Sequence, residues 1–238
     1  MMETAFQHGV NFYDTAEIYG NGQAEEPLGG AINKGIDAGV WSREDLVIST
    51  KIFCGSKGFT GVGPNDQGNS RKHLVEGLKA SLKRLNLEYV DVVFSHRLEP
   101  EWLASDVREA CEIADRLALI RPIVEQSQYN IFERNKVEFE LEDLYKKYKL
   151  GLTTWSPLDN GTLTGKYSGG VPNDSRFNMD EFKAFGVPDY FPARVKIADQ
   201  LKPIAESLAA RWLSWHSLGP SRTKMCQLCW WVQVVRPN

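Results

Sequence analysis

Cysteine is scarce and scattered in this chain. The four, Cys54, Cys111, Cys226 and Cys229, are too few for a disulfide framework among 238 residues, which fits a reducing compartment. No second ligand pair accompanies the C-x-x-C of Cys226 and Cys229, so no metal site is expected. Long apolar runs are lacking as well. No segment approaches the roughly 18 residues of a membrane span, and METAFQHGV at the N-terminus lacks the basic start and apolar core of a secretory signal. A soluble cytoplasmic protein without direct membrane insertion is expected. Charge of one sign is missing too: 28 Lys and Arg stand against 31 Asp and Glu, and no basic run tracks a phosphate backbone. Nucleic acid is excluded as a partner.

What is present is a chain that is 42% hydrophobic, enough for one sizeable core. Met1 to His8 reads as the tail of a helix with Gly9 as its C-cap, and Val10 to Tyr13 as a short buried strand. A helix follows over Ala24 to Ile36, with Leu28 and Ile32 inward, then a β-branched strand over Leu46 to Thr50. After a Gly-rich loop, Ser70 is placed to N-cap a helix whose Leu74, Leu78, Leu82 and Leu85 share one face. Tyr89 to Phe94 reads as a third strand, Asp106 to Leu117 as a helix and Ile123 to Glu125 as a fourth strand. Val137 to Tyr148 reads as a helix, Leu152 to Trp155 as a fifth strand, and Val195 to Leu208 as a last helix with Ile197, Leu201, Ile204 and Leu208 aligned.

Strands alternating with helices predict an α/β fold of parallel βαβ units, either a (β/α)8 TIM barrel or an open doubly wound sheet. The residues that close the apolar runs choose between them. Asp14, Lys51, His96, Gln126 and Trp155 each close such a run, and only a barrel brings the ends of five strands to one mouth. The chemistry available there is acid–base chemistry at a carbonyl. A ketone or aldehyde receiving hydride develops negative charge on oxygen, which needs a proton donor and electrostatic stabilisation. Tyr19 can give that proton if Lys51 favours its phenolate, Asp14 can hold Lys51 charged and oriented, and His96 can polarise the carbonyl.

At these residues the chain resembles the aldo-keto reductases, in the branch related to the β-subunits of voltage-gated potassium channels. The matching stretches are GVNFYDTAEIYG, LVISTKIF, SRKHLVEGLKASLKRLNLEYVDVVFSHR, ADRLALIRPIVEQSQYN and TTWSPLDNGTLTGKY. The resemblance implies a catalytic tetrad of Asp14, Tyr19, Lys51 and His96, with Tyr19 as the acid, NADP as the cofactor and a small carbonyl compound as the substrate. The channel subunits carry Asn where this chain has His96, which places it nearer the enzymatic pattern. The resemblance further implies cofactor binding by Asp14, His96, Gln126, Trp155, Ser156, Pro157 and Leu158, with Lys166 and Arg176 meeting the phosphates. A homo-oligomer and a membrane-channel partner are the assemblies it implies.

Three departures from the family pattern are expected to leave the barrel incomplete. The chain starts inside the helix that follows the family's first strand. Only one helix fits between His96 and Ile123, where another βαβ unit of about 30 residues belongs, so a join is expected near Glu101 and Trp102 with the fifth strand omitted. From Ala209 the sequence loses periodicity and gathers Trp212, Trp215, Trp230 and Trp231. A single-nucleotide shift just after Leu208 restores the family's next helix and eighth strand. The expected organisation is a partial reductase barrel over 1–208 and a frame-shifted tail over 209–238, with a redox-sensing regulatory protein like the potassium channel β-subunits and an inactive truncated product as the alternatives.

Overall fold

The computed structural model describes residues 1–58, 63–96, 104–179 and 186–207. The expected join at Glu101 and Trp102, the end of the last helix at Leu208 and the 209–238 tail lie outside them. The chain divides into two compact units, Met1–Trp102 and Leu103–Asn238.

The first unit contains α1 (Met2–Gln7), β1 (Phe12–Asp14), α2 (Glu25–Asp37), β2 (Val47–Ile52), α3 (Arg71–Leu85) and β3 (Val92–Ser95). Its strands form one parallel sheet in the order β1-β2-β3, with Phe12 opposite Val47 and Ser49 opposite Val92. The central strand, VISTKI, is buried from Ile48 to Ile52, as a β-branched run in a parallel sheet should be. Glu25 and Glu26 suit the positive end of α2. Ser70 caps α3 as expected, its hydroxyl accepting from the His73 amide at 3.1 Å, and Asn86 ends the helix in the left-handed region. Ile32, Trp41, Leu46 and Ile48 form the core, with Phe6 and Leu28 packed against it.

Three expectations shift here. Strand β1 begins at Phe12 and not Val10, because the Val10 amide still donates to the Ala5 carbonyl at the end of α1. Strand β3 begins at Val92 and not Tyr89, because Asp91 turns its carboxylate onto the Ile48 amide at 2.7 Å and is held there by Arg43. The buried face of α3 is His73, Gly77, Ser81 and Leu85, while Leu74 is exposed. Small and polar residues face inward because α3 lies close to its neighbours. Most of the apolar stripe lies one residue round the helix from that face.

The second unit contains α4 (Ala104–Arg116), β4 (Val124–Gln128), α5 (Glu142–Tyr148), β5 (Gly151–Trp155) and α6 (Phe191–Ser207). Strands β4 and β5 pair in parallel from Val124 with Gly151 to Gln128 with Trp155. The single helix expected over Val137 to Tyr148 is broken by a widened turn over Lys136–Glu140, in which the Leu141 amide reaches back to the Lys136 carbonyl. Val137, Leu141 and Leu144 still reach one core with Tyr129, Leu150 and Leu152. On α6 the aligned Ile197 and Ile204 are exposed, while Phe191 and Ala198 are buried.

The fold is therefore α/β with parallel strands, and no closed barrel forms among the described residues. No described helix is long and apolar enough to cross a membrane.

Helices α2 and α3 meet at Gly29, where an added Cβ would lie 1.9 Å from the Leu85 carbonyl oxygen. Gly30, one residue on, faces open space. Gly29→Ala is expected to destabilise the protein by about 1–3 kcal/mol through overpacking. Gly30→Ala is expected to stabilise it by about 0.5–1 kcal/mol through helix propensity. Urea denaturation midpoints of the two variants check the contrast.

Candidate active site

Strand β2 delivers Lys51, which is 1% exposed. A buried ammonium needs close compensation, and the exit of β1 supplies it. The Lys51 ammonium donates to the Asp14 carboxylate, to the Thr15 carbonyl at 2.8 Å and to Tyr19 Oη at 3.2 Å. Asp14 ends β1 opposite Ser49, whose hydroxyl donates to its second carboxylate oxygen. The chain leaving β1 stays beside β2 for three more residues, the Thr15 amide donating to Ser49 and the Glu17 amide to Lys51. It then turns at Tyr19 through Gly20 and Asn21, both in left-handed backbone, with φ of 57° and 53°.

Tyr19 is 41% exposed, so its hydroxyl joins a buried cation to a surface that a substrate can reach. His96 lies just beyond β3, tied to the sheet by its amide on the Ile52 carbonyl at 3.0 Å. Its ring meets the Tyr19 ring edge to face, with centroids 5.8 Å apart. The structure thus brings Asp14, Tyr19, Lys51 and His96 together in the first unit. Lys51 does not end its strand, as the sequence suggests, because Ile52 continues the pairing with Ser95.

The other expected residues belong to the second unit. Gln126 sits in the middle of β4 and not at its end, since pairing continues to Gln128. Trp155 ends β5 with 49% of its surface exposed. Ser156, Pro157 and Leu158 follow, Ser156 in left-handed backbone, and lead into a turn over Asp159–Thr164. Asn130 anchors this loop by donating to the Ser156 carbonyl at 3.0 Å. Arg194 of α6 anchors it from the other side, donating to Asp159 at 2.9 Å and to Glu133. Burial pushes the Asp159 carboxyl up from its ordinary range, against the pull of the Arg194 guanidinium. Lys166 is exposed, with its ammonium 4.8 Å from the Tyr167 ring centroid, and Arg176 opens the turn Arg176–Asn178. An exposed indole and an exposed cation flanking an anchored loop suit a ligand that carries both a planar ring and phosphates.

Sequence reading missed Ser49, Glu17, Asn130 and Arg194. Ser49 was detectable in principle, since a parallel register places a polar residue of β2 directly beside Asp14. The roles of Asn130 and Arg194 depend on contacts 26 and 35 residues away, which leave no local pattern.

The sequence pattern described as the aldo/keto reductase family matches residues 1–121 and 104–216. Two similar proteins, one from Oryza sativa subsp. japonica and one from Arabidopsis thaliana, are each described as a probable voltage-gated potassium channel subunit beta. They are 43% and 44% identical to this chain over 252 residues, covering 93% of it and 74% of each relative.

The Ser49 hydroxyl is fully buried against Asp14. Ser49→Ala is expected to lower stability by about 1 kcal/mol, read as a shift of the urea midpoint at unchanged slope.

Proposed function

Because the chain belongs to the aldo/keto reductase family, we propose that it reduces an aldehyde or ketone, with NADP as the cofactor and Tyr19 as the general acid. Members of the family generally use NAD(P)H and carry the (β/α)8 fold. The observation that carries the reading is the contact of the buried Lys51 ammonium with both the Asp14 carboxylate and the hydroxyl of the partly exposed Tyr19.

When bound, the reduced nicotinamide supplies hydride. Tyr19 Oη gives a proton to the carbonyl oxygen as negative charge gathers there. Lys51 stabilises the phenolate left behind, Asp14 keeps Lys51 charged and aimed, and His96 orients the carbonyl beside the Tyr19 ring. On the cofactor side, Gln126 and Trp155 hold the nicotinamide, Ser156, Pro157 and Leu158 follow the pyrophosphate, and Lys166 and Arg176 take the phosphates. A 2′-phosphate suits the forked guanidinium of Arg176. The protein acts in the cytoplasm.

We read the scaffold as a (β/α)8 barrel with an internal segment skipped near Glu101 and Trp102. Three findings support this. The two units divide at Trp102, the family pattern matches in two overlapping pieces, and the alignment with a relative runs over 252 positions while covering 93% of the 238-residue chain, so it holds gaps on this side.

The names of the two relatives favour a second reading, a regulatory subunit that associates with a membrane potassium channel as part of an oligomer. Co-purification with a channel separates that reading from a free enzyme.

Tyr19→Phe is expected to reduce turnover of an aldehyde by about 10²–10⁴-fold while leaving the Kd for NADPH unchanged. Turnover equal to the parent protein sinks the mechanism. Arg176→Ala is expected to weaken NADPH binding by about tenfold or more and to leave NADH binding as it was. Fluorescence titration with both cofactors checks it.

A further inference from the structure

We propose that Glu17 is a positioning residue that sets the distance between Lys51 and Tyr19 by the reach of its side chain. The inference rests on the acid–base reading of those two residues. Glu17 lies two residues before Tyr19, and its own amide donates to the Lys51 carbonyl at 3.2 Å. Its side chain is 2% exposed, and Oε1 accepts from the Phe53 amide and the Gly55 amide, each at 2.7 Å. Oε1 also accepts from His73 Nε2 at 3.1 Å. Glu17 therefore grips the β2 chain at Lys51 and at two amides that follow it.

Helix α3 closes over this grip. A Cβ added at Gly77 would lie 3.0 Å from Glu17 Oε2 and 3.1 Å from Ile52, so the helix leaves the carboxylate little room to move. The Phe53 carbonyl is taken by the Gly68 amide at 2.8 Å, and the Cys54 carbonyl by Gln67 Nε2 at 3.2 Å, so the gripped segment is itself pinned. Tyr19 is fixed in turn by its amide on the Ala16 carbonyl, with Ala16 and Ile18 buried around Glu17. The chain segments that carry the two ends of the 3.2 Å contact between Lys51 and Tyr19 thus meet at one residue, whose carboxylate holds the segment just past Lys51 and whose backbone runs on to Tyr19. Glu17 touches neither reacting atoms nor the ammonium; it acts through the backbone that carries them.

Reach and charge make opposite predictions. Glu17→Gln keeps the acceptor oxygen at the same distance without the charge, and Glu17→Asp keeps the charge one methylene short. In the full-length chain, Glu17→Gln should retain kcat for 4-nitrobenzaldehyde within about threefold of the parent. Glu17→Asp should lose about ten- to a hundredfold, the scale of a misplacement of about 1 Å, with the Kd for NADPH unchanged. Labelling of Lys51 by succinimidyl acetate, scaled to exposed Lys146 and read by mass spectrometry, should rise in Glu17→Asp and stay at the parent level in Glu17→Gln. The reverse order in rate and labelling assigns the effect to charge and overturns the proposal, as does parental rate and labelling in both variants. If the parent protein reduces no aldehyde, the reductase reading fails on its own, and the labelling order alone decides the role of Glu17.

Discussion

The first unit is organised by one constraint, a lysine ammonium held almost entirely out of water. Leaving such a charge without partners costs several kcal/mol, so the surrounding chain must bring acceptors to it. The parallel pairing of β1 with β2 does this, because it carries Asp14 and the Thr15 carbonyl past the end of one strand and alongside the other. The alternation of β2 then sorts its contacts by face. Ser49 and Lys51 point to the Asp14 side, while Thr50 points to the other, where its hydroxyl meets the fully buried Glu25 at 2.7 Å. Glu25 is held there by Arg84 of α3, also at 2.7 Å. Three successive residues of one strand thus feed two charged networks on opposite faces.

Much of this was legible in the sequence and some was not, for physical reasons. The strands and helices follow from apolar periodicity, and the order of the chemistry-bearing residues along the strands follows from their alternation. The Ser70 cap is a local signal, and it sits where the pattern puts it. The inward face of α3 does not follow its leucines. A close helix approach selects Gly77 and Ser81, and a buried carboxylate selects His73. The break at Lys136–Glu140 left no mark, since the widened turn keeps Val137 and Leu141 on the core. Glu17 was hidden for the opposite reason. An acid near a strand end reads as a solvated cap, and only the fold shows it to be enclosed.

The second unit solves a similar problem with different groups. A loop that leaves a strand has amides and carbonyls to satisfy, and here Asn130 does much of it. Its side chain accepts from the Phe132 and Glu133 amides at 2.8 and 3.1 Å, while donating to the Ser156 carbonyl. Arg194 then joins Asp159 and Glu133, and its guanidinium lies 4.1 Å from the Tyr190 ring centroid. Both strand exits are thus fixed by a single side chain reaching several backbone groups, a carboxylate in one unit and a carboxamide in the other.

Asp14, Tyr19, Lys51 and His96 all lie within one contiguous unit. Translation at about 5–20 residues per second places on the order of ten seconds between the making of His96 and of Asn238. Order of synthesis therefore separates the two halves in time. The proton-transfer groups leave the ribosome as a set before the loop that follows Trp155 has been translated.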